Sequence, residues 1–156
     1  MINKDELCQF LVEAKRATYA SGDKADKIRE IDKSTTLIYE QGDWKYHDNY
    51  FGGEPFGGRE VVFFKGLPVY IMVYYGQVTK ESTDYDNIIK MLHNSLLLIP
   101  QSTPFRGPEK HSQGDYVYLN SSNGEVENFN GTETINLNNK EVYQASYIGG
   151  LIDQKK

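Results

Sequence analysis

The chain has a single cysteine, Cys8, among 156 residues. An internal disulfide is therefore excluded, and a reducing cytoplasmic setting is expected. A basic stripe is also missing. Lys and Arg number 17 against 22 Asp and Glu, a net charge of −5. The most basic stretch, "AKRATYASGDKADKIREIDK", interleaves acids throughout, so no direct nucleic-acid contact is expected. No apolar run approaches the length of a membrane span, and no membrane association is expected. The opening "MINKDELCQFLVEAKRATY" carries Lys4, Asp5, Glu6 and Glu13 and does not read as a signal peptide.

Signatures of chemistry are equally sparse. No G-x-S-x-G occurs. The three histidines, His47, His93 and His111, fall on an expected strand, helix and loop without ligand-like spacing, so neither zinc nor another cofactor is expected. Cys8 sits on an expected helix and reads as core. The glycine-rich "YHDNYFGGEPFGG" is followed by neither a Lys-Ser/Thr pair nor a helix, which excludes a phosphate loop. It suits a turn-rich strand edge or an aromatic rim around a ligand.

What the chain does have is tyrosine: twelve, with seven Phe and one Trp. Tyr buries apolar area while keeping a hydroxyl that needs a partner, so it serves both strands and ligand-facing walls. The length suits one domain spanning 1–156 with a substantial core. "NKDELCQFLVEAKRATY" spaces Leu7, Phe10, Leu11 and Ala14 helically, with Asn3 as N-cap and Glu6 three residues on. "KADKIREIDKSTT" reads as a mobile loop. "TTLIYEQGDWKYHDNYFGG" is two strands around a Gly-Asp turn, and "REVVFFKGLPVYIMVYYGQV" is a hairpin around Lys65-Gly66. "STDYDNIIKMLHNSLLLIP" is a second helix with Asp84 as its cap, a stripe of Ile88, Ile89, Leu92, Leu96 and Ile99, and Pro100 as its stop. "QSTPFRGPEKHSQ" reads as a loop, and the remainder is again strand-rich.

The order helix, four strands, helix, four strands is accompanied by a repeat. Phe56–Gly76 and Phe129–Gly149 align without a gap and share seven residues in 21, where chance gives roughly one or two. "GDWKY" and "GDYVY" extend the match upstream. The expected fold is therefore α+β: a duplicated helix-plus-antiparallel-strands unit, about 3–79 and about 83–152, related by a pseudo-twofold axis. Its antiparallel sheet should carry both helices on one face.

Alternation places Glu60, Val62 and Phe64 on one face of their strand, and Glu133, Ile135 and Leu137 on the corresponding face of theirs. Bringing Tyr143, Ala145 and Tyr147 onto that same face requires an odd-length connection, expected as a three-residue bulged turn at "KGL" and "NNK". The first hairpin is apolar on its other face too (Val61, Phe63, Ile71, Val73, Tyr75). That face is expected to be buried, inside the molecule or in a homodimer through Val61, Phe63, Ile71 and Val73.

Glu60 and Glu133 then stand on the inner face beside Tyr74 and Tyr147. Each would either tie down a glycine-containing loop through backbone N–H groups or belong to a carboxylate pair suited to acid–base work or a polar ligand. Arg106, between Pro104 and Pro108, is presented from a stiffened loop to pair with Glu60, Asp48 or Glu133, or with a ligand anion. The expected ligand-lining set is Tyr46, Asp48, Tyr50, Phe56, Glu60, Tyr74, Arg106, Glu133 and Tyr147.

"AKRATYA", "WKYHDNYFGGEPFGGREVVFFKGLPVYIMVYYG", "RGP" and "F-x-G-x-E-x-I…VY…Y-x-GG" together resemble a bacterial family known as a domain of unknown function, DUF5680, over Phe10 to Ile152. Tyr70 stands where that pattern commonly has Trp, and Val73 where it commonly has Asn. Some relatives resemble a fusion to an XRE-type helix-turn-helix, which implies the effector-binding half of a transcription regulator. No such DNA-binding segment is read in these 156 residues. The resulting expectation is a small-molecule-binding or sensory domain. An enzyme using Glu60 or Glu133 with Arg106, and a dimerising interaction module, are the alternatives.

Overall fold

The computed structural model describes residues 2–79 and 84–153. Helix α1 spans Lys4–Ala17, begun by Asn3, whose Oδ1 accepts from the N–H groups of Asp5 and Glu6. Asp5 and Glu6 lie in its first turn and Lys15 and Arg16 in its last, each sign at the end that the helix dipole favours. Helix α2 spans Tyr85–Leu96 and buries Ile88, Met91, Leu92 and Leu96. Asp84 occupies its N-cap position but makes no capping bond; its carboxylate accepts instead from Asn87 and Tyr116. The expected junction between the two repeats, at 80–83, lies outside the described residues.

Nine antiparallel strands form one sheet among the described residues: β1 (Ile28–Arg29), β2 (Thr35–Gln41), β3 (Trp44–Gly52), β4 (Phe56–Phe64), β5 (Leu67–Val78), β6 (Lys110–Gln113), β7 (Tyr116–Glu125), β8 (Asn128–Leu137) and β9 (Lys140–Leu151). Their spatial order is β1-β2-β3-β4-β5-β9-β8-β7-β6, so the two longest strands pair at the centre. Both helices cover the same face. Leu7, Phe10, Leu11 and Ala14 of α1 pack on Tyr46, Val62 and Tyr70; Ile88, Met91 and Leu92 of α2 pack on Tyr118, Ile135 and Tyr143. The α+β, helices-on-one-face architecture matches the sequence pattern.

Three details correct the sequence reading. The segment read as a mobile loop holds the two-residue strand β1 and the start of β2, and a 3-10 helix, Tyr19–Lys24, leads into it. The loop after α2 ends in the edge strand β6, which carries His111. And the hairpin turns have two residues, not three: Phe64 pairs with Leu67, and Leu137 with Lys140. Lys65, Gly66, Asn138 and Asn139 all have positive φ, the geometry of a tight turn that matches strand twist. The required odd residue is inserted one step further on. Val62 pairs with Tyr70 and Ile135 with Tyr143, leaving Val69 and Val142 as the bulged residues, both buried. The register demand was sound; Gly and Asn made the turn too cheap to lengthen.

The outer face is a fourth correction. Val61 is buried, and Phe63 and Ile71 are half-buried, but Val73 and Tyr75 are about half exposed, at 48% and 57%. Among the described residues nothing covers Val73 and Tyr75, so at these two positions the face is not buried inside the molecule.

Candidate functional site

Cross-strand register sets up the site. On the inner face Asp48, Glu60 and Met72 form one row across β3, β4 and β5. Tyr46, Val62 and Tyr70 form the row on one side, and Tyr50, Gly58 and Tyr74 the row on the other. In the other half, Asn120 faces Glu133, and Tyr118, Ile135 and Tyr143 form the flanking row. Tyr74 and Tyr147 face each other where the central strands pair. Each tyrosine lies across a glycine: a Cβ at Gly58 would sit 2.7 Å from the Tyr74 hydroxyl, and one at Gly131 2.2 Å from that of Tyr147. The missing side chains let these rings reach two strands over. Tyr74 donates to Asp48 Oδ1 at 2.6 Å and Tyr147 to Asn120 Oδ1 at 2.7 Å.

Each glutamate is paired with a cation from outside the sheet. Arg106 is delivered by the loop between α2 and β6, which is pinned on both sides. Lys15 Nζ donates to Phe105 O at 2.7 Å, the Tyr118 hydroxyl accepts from Gly107 N at 3.0 Å, and Asn120 Nδ2 donates to Gly107 O at 2.9 Å. Of its three candidate partners Arg106 takes Glu133, with Nε at 3.1 Å and Nη2 at 2.5 Å from Oε1. Its plane also lies over the rings of Tyr19 and Tyr74. Glu133 is then completed by hydroxyls: Tyr118 donates to Oε2 at 2.5 Å and Tyr143 to Oε1 at 3.0 Å. Burial alone would lower the Arg106 pKa, but Glu133, Tyr19 and Tyr143 together outweigh it and hold the guanidinium well above its usual range.

Glu60 is treated differently. Lys15 Nζ lies 2.8 Å from Oε2, with both side chains fully buried. The contact is an ion pair without hydrogen-bond alignment, and among the described residues neither carboxylate oxygen has a hydrogen-bond partner. The flanking hydroxyls of Tyr46 and Tyr70 are also buried and unpartnered, as is that of Tyr19. So one Tyr–Glu–Tyr arrangement is closed by direct bonds, and the other, with the same residue types in the same rows, is not. Neither glutamate anchors a loop through backbone N–H groups, which corrects that expectation: their partners are side chains.

Electrostatics single out Asp48. Burial, then the nearby Glu60 charge, push its carboxyl up to about 7, against the pull of the Tyr74 hydroxyl, Arg106 and Lys15. Burial lowers the Lys15 pKa, with Glu60 opposing. Tyr19, Tyr46 and Tyr70 are all pushed well above their ordinary value, by burial first and Glu60 second. These phenols stay neutral, able both to donate and to accept.

Of the nine residues expected from sequence, seven are buried: Tyr46, Asp48, Glu60, Tyr74, Arg106, Glu133 and Tyr147. They converge on this one inner-face cluster. Tyr50 and Phe56 are half-buried at its border, Phe56 lying between the rings of Tyr74 and Tyr143. Sequence reasoning missed Lys15, Tyr19, Tyr70, Tyr118, Asn120 and Tyr143. A signal for Lys15 existed: it continues the four-residue spacing of Leu7 and Leu11, a charge on the apolar stripe. Tyr118 and Tyr143 were present in the repeated segments as matches to Tyr46 and Tyr70.

Elsewhere a half-open pocket of about 450 Å³ is lined by Thr103, Glu109, Leu119, Asn120 and hydroxyls of β7 and β8. Asn120 connects it to the cluster. Among the described residues no three of His, Cys, Asp and Glu come together as a metal-ligand set, and no helix is long and apolar enough to cross a membrane.

The family model described as "Domain of unknown function (DUF5680)" matches residues 48–152, which includes every cluster residue except Lys15, Tyr19 and Tyr46. No curated protein and no solved structure matches the chain.

Proposed function

Because the chain belongs to the DUF5680 family, a domain of unknown function, no activity is inherited, and we propose from the geometry that it is a small-molecule-binding, sensory domain. Its site is the inner-face cluster around Glu60. One observation carries the reading: four buried polar atoms, Glu60 Oε1 and the Tyr19, Tyr46 and Tyr70 hydroxyls, have no hydrogen-bond partner among the described residues. Leaving a buried donor or acceptor unmet costs about 1–3 kcal/mol each, so a native interior fills such positions with water or ligand. The closed arrangement around Glu133 supports this by contrast, because the same side chains there satisfy one another.

An internally duplicated unit with a pseudo-twofold axis at Tyr74 and Tyr147 is part of the proposal. Its support is the matched bulges at Val69 and Val142, the mirrored strand order and the 73-residue offset, which relates each of these pairs of positions. On this reading one copy kept a closed, structural carboxylate and the other became the receptor. The effector half of a transcription regulator is the setting that the family resemblance suggests. Acid–base chemistry at Glu60 or Glu133 is less well supported, since both are tied up in buried ion pairs.

A second reading has its own observation. Val73 and Ile148 are paired across β5 and β9 and are 48% and 59% exposed, an apolar centre on the uncovered sheet face that suits a homodimer. Sedimentation velocity distinguishes it, since a monomer at 100 μM-scale concentration removes the dimer.

A thermal-shift screen of a metabolite library tests the receptor, with Tyr70→Phe and Glu60→Gln in parallel. A ligand at 100 times its Kd stabilises by about 2.7 kcal/mol. Hits in the parent chain that vanish in both variants are the expected result. Hits that persist in both variants place binding elsewhere, and an absence of hits refutes the receptor.

A further inference from the structure

Resting on the receptor reading, we propose that the Glu60 site takes a small neutral compound rich in O–H or N–H donors, a polyol or simple amide, and rejects anions. The argument is an inventory of what the site has left to offer. Both cations already face a carboxylate. Lys15 Nζ lies against Glu60 Oε2 at 2.8 Å, Phe105 O at 2.7 Å and Met72 Sδ at 4.0 Å, three contacts for three protons. Arg106 spends Nε and Nη2 on Glu133 and its faces on Tyr19 and Tyr74. An anion would face Glu60, whose own cation, Lys15, is already shared with Phe105 O.

The uncommitted groups are one acceptor-only oxygen, Glu60 Oε1, and three phenols that both donate and accept. Only a donor-bearing guest satisfies Glu60, and only one that also accepts satisfies the phenols. A cationic guest would supply donors, but it would place a third positive charge beside Lys15, which already feels the repulsion of Arg106. An apolar guest would leave all four unmet atoms as they are. Placement narrows the size. Tyr46 and Tyr70 flank Val62 one row from Glu60, so Tyr46, Tyr70 and Glu60 occupy two neighbouring rows of the sheet under α1, while Tyr19 comes from the turn after α1.

The test is saturation-transfer NMR on the full chain with three probe groups: glycerol, erythritol and acetamide; acetate and inorganic phosphate; methylammonium. Each is run on the parent, Tyr70→Phe and Tyr46→Phe, which remove one hydroxyl apiece and keep the packing. The expected result is saturable binding of at least one neutral probe, weakened about tenfold or more in either variant. Binding of acetate or phosphate with the same tyrosine dependence overturns this inference and leaves the receptor standing. Methylammonium preferred over every neutral probe does the same. No saturable binding in any group makes water the occupant and overturns both.

Discussion

Replacing Asp48 by Asn should make the protein more stable at pH 8, and by markedly less at pH 5. Asp48 is 1% exposed, and its carboxyl is pushed up to about 7 from an ordinary 3.8. The folded state therefore binds this proton more tightly than the unfolded chain does. The stability it confers is complete below about pH 4 and is lost as pH rises through about 7. Three pH units at 1.36 kcal/mol each give a ceiling of about 4 kcal/mol. Relaxation and water entry reduce that, and about 2 kcal/mol is the working value. The other half shows that an amide fits: Asn120 faces Glu133 and accepts from Tyr147 just as Asp48 faces Glu60 and accepts from Tyr74. An Asn at 48 keeps the acceptor for Tyr74 and adds a donor next to Glu60.

Urea unfolding between pH 5 and 8 measures this, followed by fluorescence of Trp44, the single tryptophan, which stacks on Phe10. With a slope of about 1–3 kcal/mol/M, 2 kcal/mol moves the midpoint by about 1 M. The parent should lose stability from pH 5 to 8 relative to the variant, because surface carboxylates such as Asp32 and Glu127, whose pKa values are lowered, act identically in both. A difference between the two proteins that stays constant across pH, or a variant at least 1 kcal/mol weaker at pH 8, would refute the placement of a buried, proton-holding carboxyl here.

Two further substitutions probe the same cluster. Lys15→Met should destabilise by about 3–5 kcal/mol, since it strands a buried Glu60 charge, and adding Glu60→Gln should recover most of the loss; calorimetric Tm values for the single and double variants decide it. Gly131→Ala puts a Cβ 2.2 Å from the Tyr147 ring, so a loss of about 1–3 kcal/mol is expected with a changed Tyr147 environment by NMR. Unchanged stability would mean that ring does not lie across the strand.

The strands and helices were legible because their signals are local: the Leu7 to Ala14 spacing, the Asn3 cap, the alternation along Phe56–Phe64, and turn residues at 65–66 and 138–139. Even the need for a bulge followed from which face Tyr147 had to occupy. Its position did not, because a turn of two positive-φ residues and a bulge at Val69 satisfy the same parity as a longer turn. Strands β1 and β6 escaped notice because they are short, charged edges that acquire strand geometry only by pairing. Glu60, Glu133 and Arg106 could be singled out from sequence. Which cation meets which carboxylate could not, since Lys15 is 45 residues from Glu60 and depends on how α1 docks.

The contrast between Glu60 and Glu133 is also a reason to look for function in one half of the cluster and not the other. A buried ion pair alone is weak evidence of a role, since such pairs commonly break even against apolar packing. Glu133 has four donor contacts and behaves as a structural hub, holding the Arg106 loop to β7 and β9. Glu60 has the same neighbours in the same register, yet the Tyr46 and Tyr70 hydroxyls do not donate to it. If those hydroxyls served only the fold, Phe at either position would be at least as stable, and direct bonding as in the other half would be the simpler solution. Tyr46→Phe and Tyr70→Phe therefore report, without any added ligand, whether each hydroxyl is met in the resting protein. A gain in stability marks an unmet hydroxyl, and a loss of about 1 kcal/mol marks one that water or another guest already satisfies.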